Sequence, residues 1–205
     1  MTDVAKPVRR IVTIDNERGT SEAIADGPAP DMRRDPARPG FASTRIWVTS
    51  SSPVAIGKFR DTLDLPHALA PPPRGSLCCI VTIPPDASWR HKVGAPEVVA
   101  FFQQMGSPQA STYARKAPHP YMQQTRTLDF CLILEGEVTL VLDTDEVHLT
   151  AGDTVVQRGT NHAWSNRSDQ PCRIAISSHD AREIEYMMVS RMHYSAWREA
   201  RAVQC

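Results

Sequence analysis

At 205 residues the chain is long enough to bury one substantial core and short for two independent domains. Lys plus Arg and Asp plus Glu number 23 each, so the formal charge is zero and no field of one sign draws nucleic acid or an anionic membrane. No apolar run has the length of a membrane span, the first residues lack an apolar leader core, and the five cysteines show no CxxC spacing. The expectation is a soluble, cytoplasmic protein with reduced thiols and neither a nucleic-acid nor a membrane partner.

Residues 1–109 read as an N-terminal arm and strands that pack on the body formed by residues 110–180. Within residues 1–40 one β-like run, Val8 to Ile14, precedes a Gly/Pro/Asp/Arg-rich stretch that suits an extended surface arm. Ser43 to Thr49 and Ser76 to Ile83 read as strands, and the prolines between Leu65 and Pro73 make that stretch a connector. Ala95 to Met105 has a proline near its start, apolar residues at helical spacing and Gly106 beyond, which predicts a short helix. From residue 110 to 180 short strands succeed one another at 128–134, 137–142, 146–149, 153–157, 162–165 and 172–177, separated by turn residues such as Glu135-Gly136 and Arg158-Gly159. That spacing predicts an all-β antiparallel sandwich or barrel without crossover helices. Residues 181–205 carry a broad apolar helical face and predict a terminal helix that covers the barrel or a neighbouring subunit.

The order of Asp129, Gly136, Gly152, Gly159, His162 and Asn166 resembles the two sequence motifs of the cupin superfamily, over roughly residues 110–178. The resemblance implies a single antiparallel cupin barrel, a double-stranded β-helix or jelly roll. Asp129 falls where the first motif has glutamate, and His162 and Asn166 keep the spacing of the second. The chain departs from the family where metal ligands are expected. The first-motif histidine pair is replaced by Gln123 and Thr125 in one frame, or Met122 and Gln124 in the other, and Gln157 replaces a proline. Family metal binding uses two such histidines, the glutamate and the second-motif histidine, so this chain offers His162 and Asp129, with His119 as a substitute ligand and Gln123 as a weak one. The cofactor expectation is accordingly none, or a weakly held divalent Fe, Mn, Ni or Zn.

Strand alternation puts Thr127, Asp129 and Cys131 on one face, and His162, Trp164 and Asn166 on another. An interior with an acid, an imidazole and an indole suits a small organic molecule. The expected catalytic pair is His162 with Asp129, the carboxylate orienting the imidazole. Trp164, Gln123, Tyr121, Cys131 and Arg158 are expected to contact substrate, with Arg158 preferred to Arg126 as a carboxylate anchor. His119, between prolines, reads first as an exposed turn residue and only second as a substitute ligand or acid/base group, and His148 reads as outward-facing. His67, His91, His179 and His193 receive no role. The chemistry expected is acid/base isomerisation, dehydration or decarboxylation of a small, aromatic or carboxylated substrate. A metal-dependent dioxygenase and a non-catalytic binder are the alternatives. A homodimer is expected because the arm has strands but little core of its own.

Overall fold

The structure is a computed structural model that describes residues 6–56 and 61–182; the terminal helix expected at 181–205 lies almost wholly outside the described residues. The chain opens with a hairpin of β1 (Arg9–Asp15) and β2 (Ser21–Pro28), whose register shifts between Val12 and Thr13. Next come β3 (Asp31–Arg34), β4 (Ala42–Thr49), β5 (Ser76–Ile83) and the helix α1 (Ala95–Gln104). The remaining strands are β6 (Thr127–Glu135), β7 (Glu137–Val141), β8 (Glu146–Thr150), β9 (Thr154–Arg158), β10 (Ala163–Ser165) and β11 (Cys172–Asp180). Beyond the hairpin they form a six-stranded sheet, β3-β4-β5-β11-β6-β9, and a three-stranded sheet, β10-β7-β8, with every pairing antiparallel. Among the described residues no helix is long and apolar enough to cross a membrane.

The expectation of a single β run within residues 1–40 is corrected by β2 and β3. β2, Ser-Glu-Ala-Ile-Ala-Asp-Gly-Pro, is largely exposed and has no apolar alternation to reveal it; backbone pairing with β1 makes it a strand. β3, Asp-Met-Arg-Arg, is a short charged edge strand, the composition that discourages further pairing. The strands and helix expected from Ser43 onward are present, with ends displaced by at most three residues.

Across the six-stranded sheet the register aligns inward-facing positions in rows. Arg45, Cys79, Ile176 and Cys131 form one, and Leu77, Ser178, Asp129 and Gln157 form the next. Beyond the first lies an apolar row of Val81, Ile174 and Ile133. Ile133, Val138, Leu140 and Ile174 fill the core between the two sheets. A second core lies under α1, where Val98, Phe101 and Phe102 meet Phe41, Trp89 and Tyr121. The helix begins where the Glu97 carboxylate accepts the Gly94 backbone N–H at 2.9 Å. It ends at Gly106, with φ +64°, packed directly against the backbone carbonyl of His67.

A Cβ at position 106 would lie 1.9 Å from the His67 carbonyl oxygen, whereas one at Gly152, also at positive φ, meets nothing within 4 Å. Gly152→Ala is therefore expected to cost about 1–2 kcal/mol from backbone strain alone. Gly106→Ala is expected to cost more, because α1 or the connector must also shift. Urea unfolding of both variants checks the order.

Candidate active site

Cys79 and Val81 on β5, Asp129 and Cys131 on β6 and Ile176 and Ser178 on β11 form one wall of a cavity of about 100 Å³. Phe101 and Met105 of α1, the connector residues His67 and Leu69, and His162 and Trp164 close it from the other sides. His162 is fixed first by its backbone: it donates to the Gln123 carbonyl at 2.9 Å and accepts from the Gln123 N–H at 2.8 Å, an isolated antiparallel bridge. Its ring Nδ1 lies 2.9 Å from the Thr160 carbonyl oxygen, which only accepts. Nδ1 therefore carries the proton and Nε2 a lone pair. The Gln123 side-chain nitrogen approaches that lone pair at 3.4 Å, a long and weak contact. The Trp164 indole sits edge-on to the imidazole, with ring centroids 6.0 Å apart.

Asp129 is buried, and its Oδ1 has no hydrogen-bond partner. Burial raises its pKa, and the Ser178 and Thr127 hydroxyls beside it offset only part of that. The imidazole is pushed the other way, with burial holding the His162 pKa below its ordinary value. Burial thus disfavours the charged form of both groups, and both line the same cavity. Burial also raises the two thiols on the wall, that of Cys131 to about 12 and that of Cys79 further.

Of the residues expected to form the site, Asp129, His162, Trp164, Gln123, Tyr121 and Cys131 line the cavity, and Arg158 and His119 do not. Arg158 is exposed on β9, where alternation turns its buried neighbour Gln157 inward. His119 is neither an exposed turn residue nor part of the site: it is 1% exposed and packs edge-on against Trp89. The Tyr121 N–H donates to its Nδ1 at 3.2 Å, and its Nε2 lies 3.5 Å from Asp86 Oδ2. The expectation that Asp129 orients His162 is also corrected, since the Thr160 carbonyl does so. Asn166 is structural, its amide donating to the carbonyls of Ile83 and Gln170 at 2.9 and 2.8 Å. His148, as expected, is outward and exposed, 3.7 Å from Glu137.

Sequence reasoning missed three basic residues on the cavity wall. Arg45 donates through Nη1 to the Pro66 carbonyl at 3.0 Å and through Nη2 to those of Leu63 and Leu65 at 3.0 and 2.8 Å, while its Nε meets Asp31. His67 Nδ1 lies 3.3 Å from the same carboxylate. Arg38 donates to Asp35 at 2.6 Å and sits inside an aromatic cage, its Cζ 3.5 Å from the Tyr121 ring centroid, 4.0 Å from that of Phe41 and 4.4 Å from that of Phe101. A charged residue at an alternating position of β4 was the available signal for Arg45. Nothing local marked Arg38.

Residues 112–178, which contain Gln123, Asp129, His162 and Trp164, match the Cupin_2 family, described as the cupin domain. The chain carries a cupin domain. Phomopsin biosynthesis cluster protein D of Diaporthe leptostromiformis is 52% identical over 48 residues, 23% of this chain and 25% of that protein. Oryzines biosynthesis cluster protein J of Aspergillus oryzae is 46% identical over 50 residues, 24% of this chain and 28% of that protein. The chain thus spans about a quarter of the length of these curated relatives. Among solved structures it is similar to the cupin domain of Schizosaccharomyces pombe Cnp3, with TM-score 0.41, 8% identity and coverage of 94% and 93% of the two chains. It is also similar to a Cupin 2 conserved barrel domain protein of Salinispora arenicola, with TM-score 0.36, 14% identity and coverage of 74% and 82%.

The cupin domain's donor set does not fit a tightly held divalent cation. Among the described residues no group of three or more His, Cys, Asp or Glu is placed to hold a metal ion. At the cavity His67 is engaged by Asp31, and burial disfavours both the thiolates of Cys79 and Cys131 and the ionised Asp129 carboxylate that coordination needs, which leaves His162 as the one ready ligand among the lining His, Cys and Asp side chains. Equilibration with Fe(II), Mn(II), Ni(II) or Zn(II), followed by desalting and elemental analysis, is expected to leave well under about one equivalent bound.

Burial lowers the pKa of His67, His119 and His162 below 6.5, against the pull of neighbouring Asp31, Asp86 and Asp129 respectively. The unfolded chain then binds protons near pH 6.5 that the folded chain refuses, so this stability is present above pH 6.5 and lost as pH falls below it. Asp129, raised in the folded state, contributes with the opposite sign, its share present in acid and lost as pH rises through its folded value. The melting temperature is expected to fall between pH 7 and pH 5. His162→Gln should make that fall shallower, as read by calorimetry across the range.

Proposed function

We propose that the cavity is the active site of a small-molecule-transforming cupin that works by general acid/base catalysis, of isomerase, dehydratase or decarboxylase type. The observation that carries this reading is the pairing of an imidazole whose Nε2 lone pair faces the cavity with a buried carboxyl whose Oδ1 has no partner. Their environments push the two groups in opposite directions, which suits an acid and a base working together. In a proton-transfer step the substrate displaces the weak Gln123 contact, and His162 Nε2 takes a proton from carbon next to a carbonyl. Asp129 gives its proton to the carbonyl oxygen, so that an enol forms with no net charge and no change of oxidation state. Return of the protons at a different carbon gives an isomer, and expulsion of a β-hydroxyl as water gives a dehydration. Trp164 supplies a flat apolar wall, and the Thr160 carbonyl holds the base in the productive tautomer. The biosynthesis clusters named for the partial relatives support a role in small-molecule metabolism.

The test needs no knowledge of the physiological substrate. A panel of small α-deuterated ketones and aldehydes is followed by NMR for loss of deuterium to solvent. Exchange above the buffer rate is expected, falling by about 100-fold or more in His162→Ala while the far-ultraviolet circular dichroism is unchanged. Equal exchange in the wild type and in that variant would remove His162 from the mechanism.

A further inference from the structure

Each basic group on the cavity wall already has an acidic partner. Three nitrogens of Arg45 are engaged by Asp31 and by the carbonyls of Leu63, Leu65 and Pro66, and His67 shares Asp31. Arg38 is paired with Asp35 through Nε and enclosed by three aromatic rings, which bury its unpartnered Nη2. Asp35 in turn accepts the Tyr121 hydroxyl at 2.9 Å and the Ala37 N–H at 3.0 Å, so it is held to Arg38 from several sides. A ligand carboxylate entering this cavity would lose its hydration without gaining an available countercharge, at a cost of several kcal/mol. An ammonium would share the wall with two guanidinium groups and find few free acceptors.

The sheet rows add a second constraint. Of the cavity-lining residues in these rows, Ser178 and Asp129 offer a hydroxyl and a carboxyl beside Leu77, while Cys79, Ile176 and Cys131, and then Val81, are apolar. Passing along the strands, the wall changes from hydrogen-bonding to hydrocarbon. At about 100 Å³ the cavity is well below the size that encloses a drug-like molecule.

Building on the acid/base reading of this site, we propose that its ligand is a small uncharged molecule with one oxygen function at the Asp129–His162 end and a hydrocarbon body against Ile176 and Cys131. This narrows the acid/base chemistry to isomerisation or dehydration: Arg45 ties β3 and β4 to the connector, and Arg38 is held by Asp35 and its aromatic cage.

Two sets of isosteres, added to the full chain, test this: benzamide, benzoate and benzamidinium, and the isobutyl analogues isobutyramide, isobutyrate and isobutyramidinium. Each is titrated at pH 7 by NMR, with the Trp164 indole and His162 ring signals locating the site. In at least one set the amide is expected to bind about tenfold or more tightly than either charged partner, shifting both signals. A carboxylate or amidinium that binds as tightly as the amide, shifts confined to residues outside the cavity, or no binding by any of the six overturns the proposal. Amide binding in a protein that exchanges no α-deuterium would leave the ligand class standing and remove the enzymatic reading.

Discussion

β11 pairs with β5 on one side and β6 on the other, over eight residue pairs in each case, and the cavity depends on that double pairing. It joins a strand from the first half of the chain to one that comes after the prolines around His119, far along the sequence. Because side chains alternate along every strand, fixing the register of β11 fixes which residues of all three strands face inward. A slip of β11 by one position would turn Ser178, Ile176 and Ile174 outward together and set the wrong neighbours beside Asp129 and Leu77. The cavity wall is thus set by backbone hydrogen bonds before any side-chain contact refines it. The Gln123–His162 bridge does the same on the opposite side, orienting the imidazole through two main-chain bonds.

The strands from β4 onward were legible because their inward positions are apolar or small and Gly, Asp and Asn mark their turns. β2 and β3 were not, since a strand stabilised by pairing alone, on an edge or in an exposed hairpin, leaves no periodic trace. The same contrast holds at the site. Alternation placed Asp129, Cys131, His162 and Trp164 correctly, because each lies in or beside a regular strand. Arg38 and His67 lie in irregular backbone, where spacing says nothing about direction, and His119 was misread because two flanking prolines suggest a surface turn. Burial of His119 comes from Trp89 and Tyr121, which are distant in sequence or set by the local turn, and no local pattern reports that.

The positions that give related barrels their metal character serve a different purpose here. Gln123 spends its backbone on the bridge and its side chain on a weak contact with the imidazole, leaving Nε2 within reach of a ligand. Asn166, retained at the family's spacing, ties the end of β5 to the turn before β11, and Asp86 accepts the Ser165 hydroxyl beside it at 2.6 Å. Asn166 of the second motif thus serves the backbone, while His162 and Asp129 are the imidazole and carboxyl that line the cavity.

Cys79 and Cys131 stand next to Asp129 on the same wall, and their burial has a chemical consequence. With a pKa of about 12, the Cys131 thiol is ionised in only about one molecule in 10⁵ at pH 7, and Cys79 in still fewer. Conjugated carbonyl compounds and other electrophiles are trapped by thiolates, not thiols. The two sulfurs on this wall are therefore poor nucleophiles at neutral pH, although they stand beside the imidazole and carboxyl of the cavity.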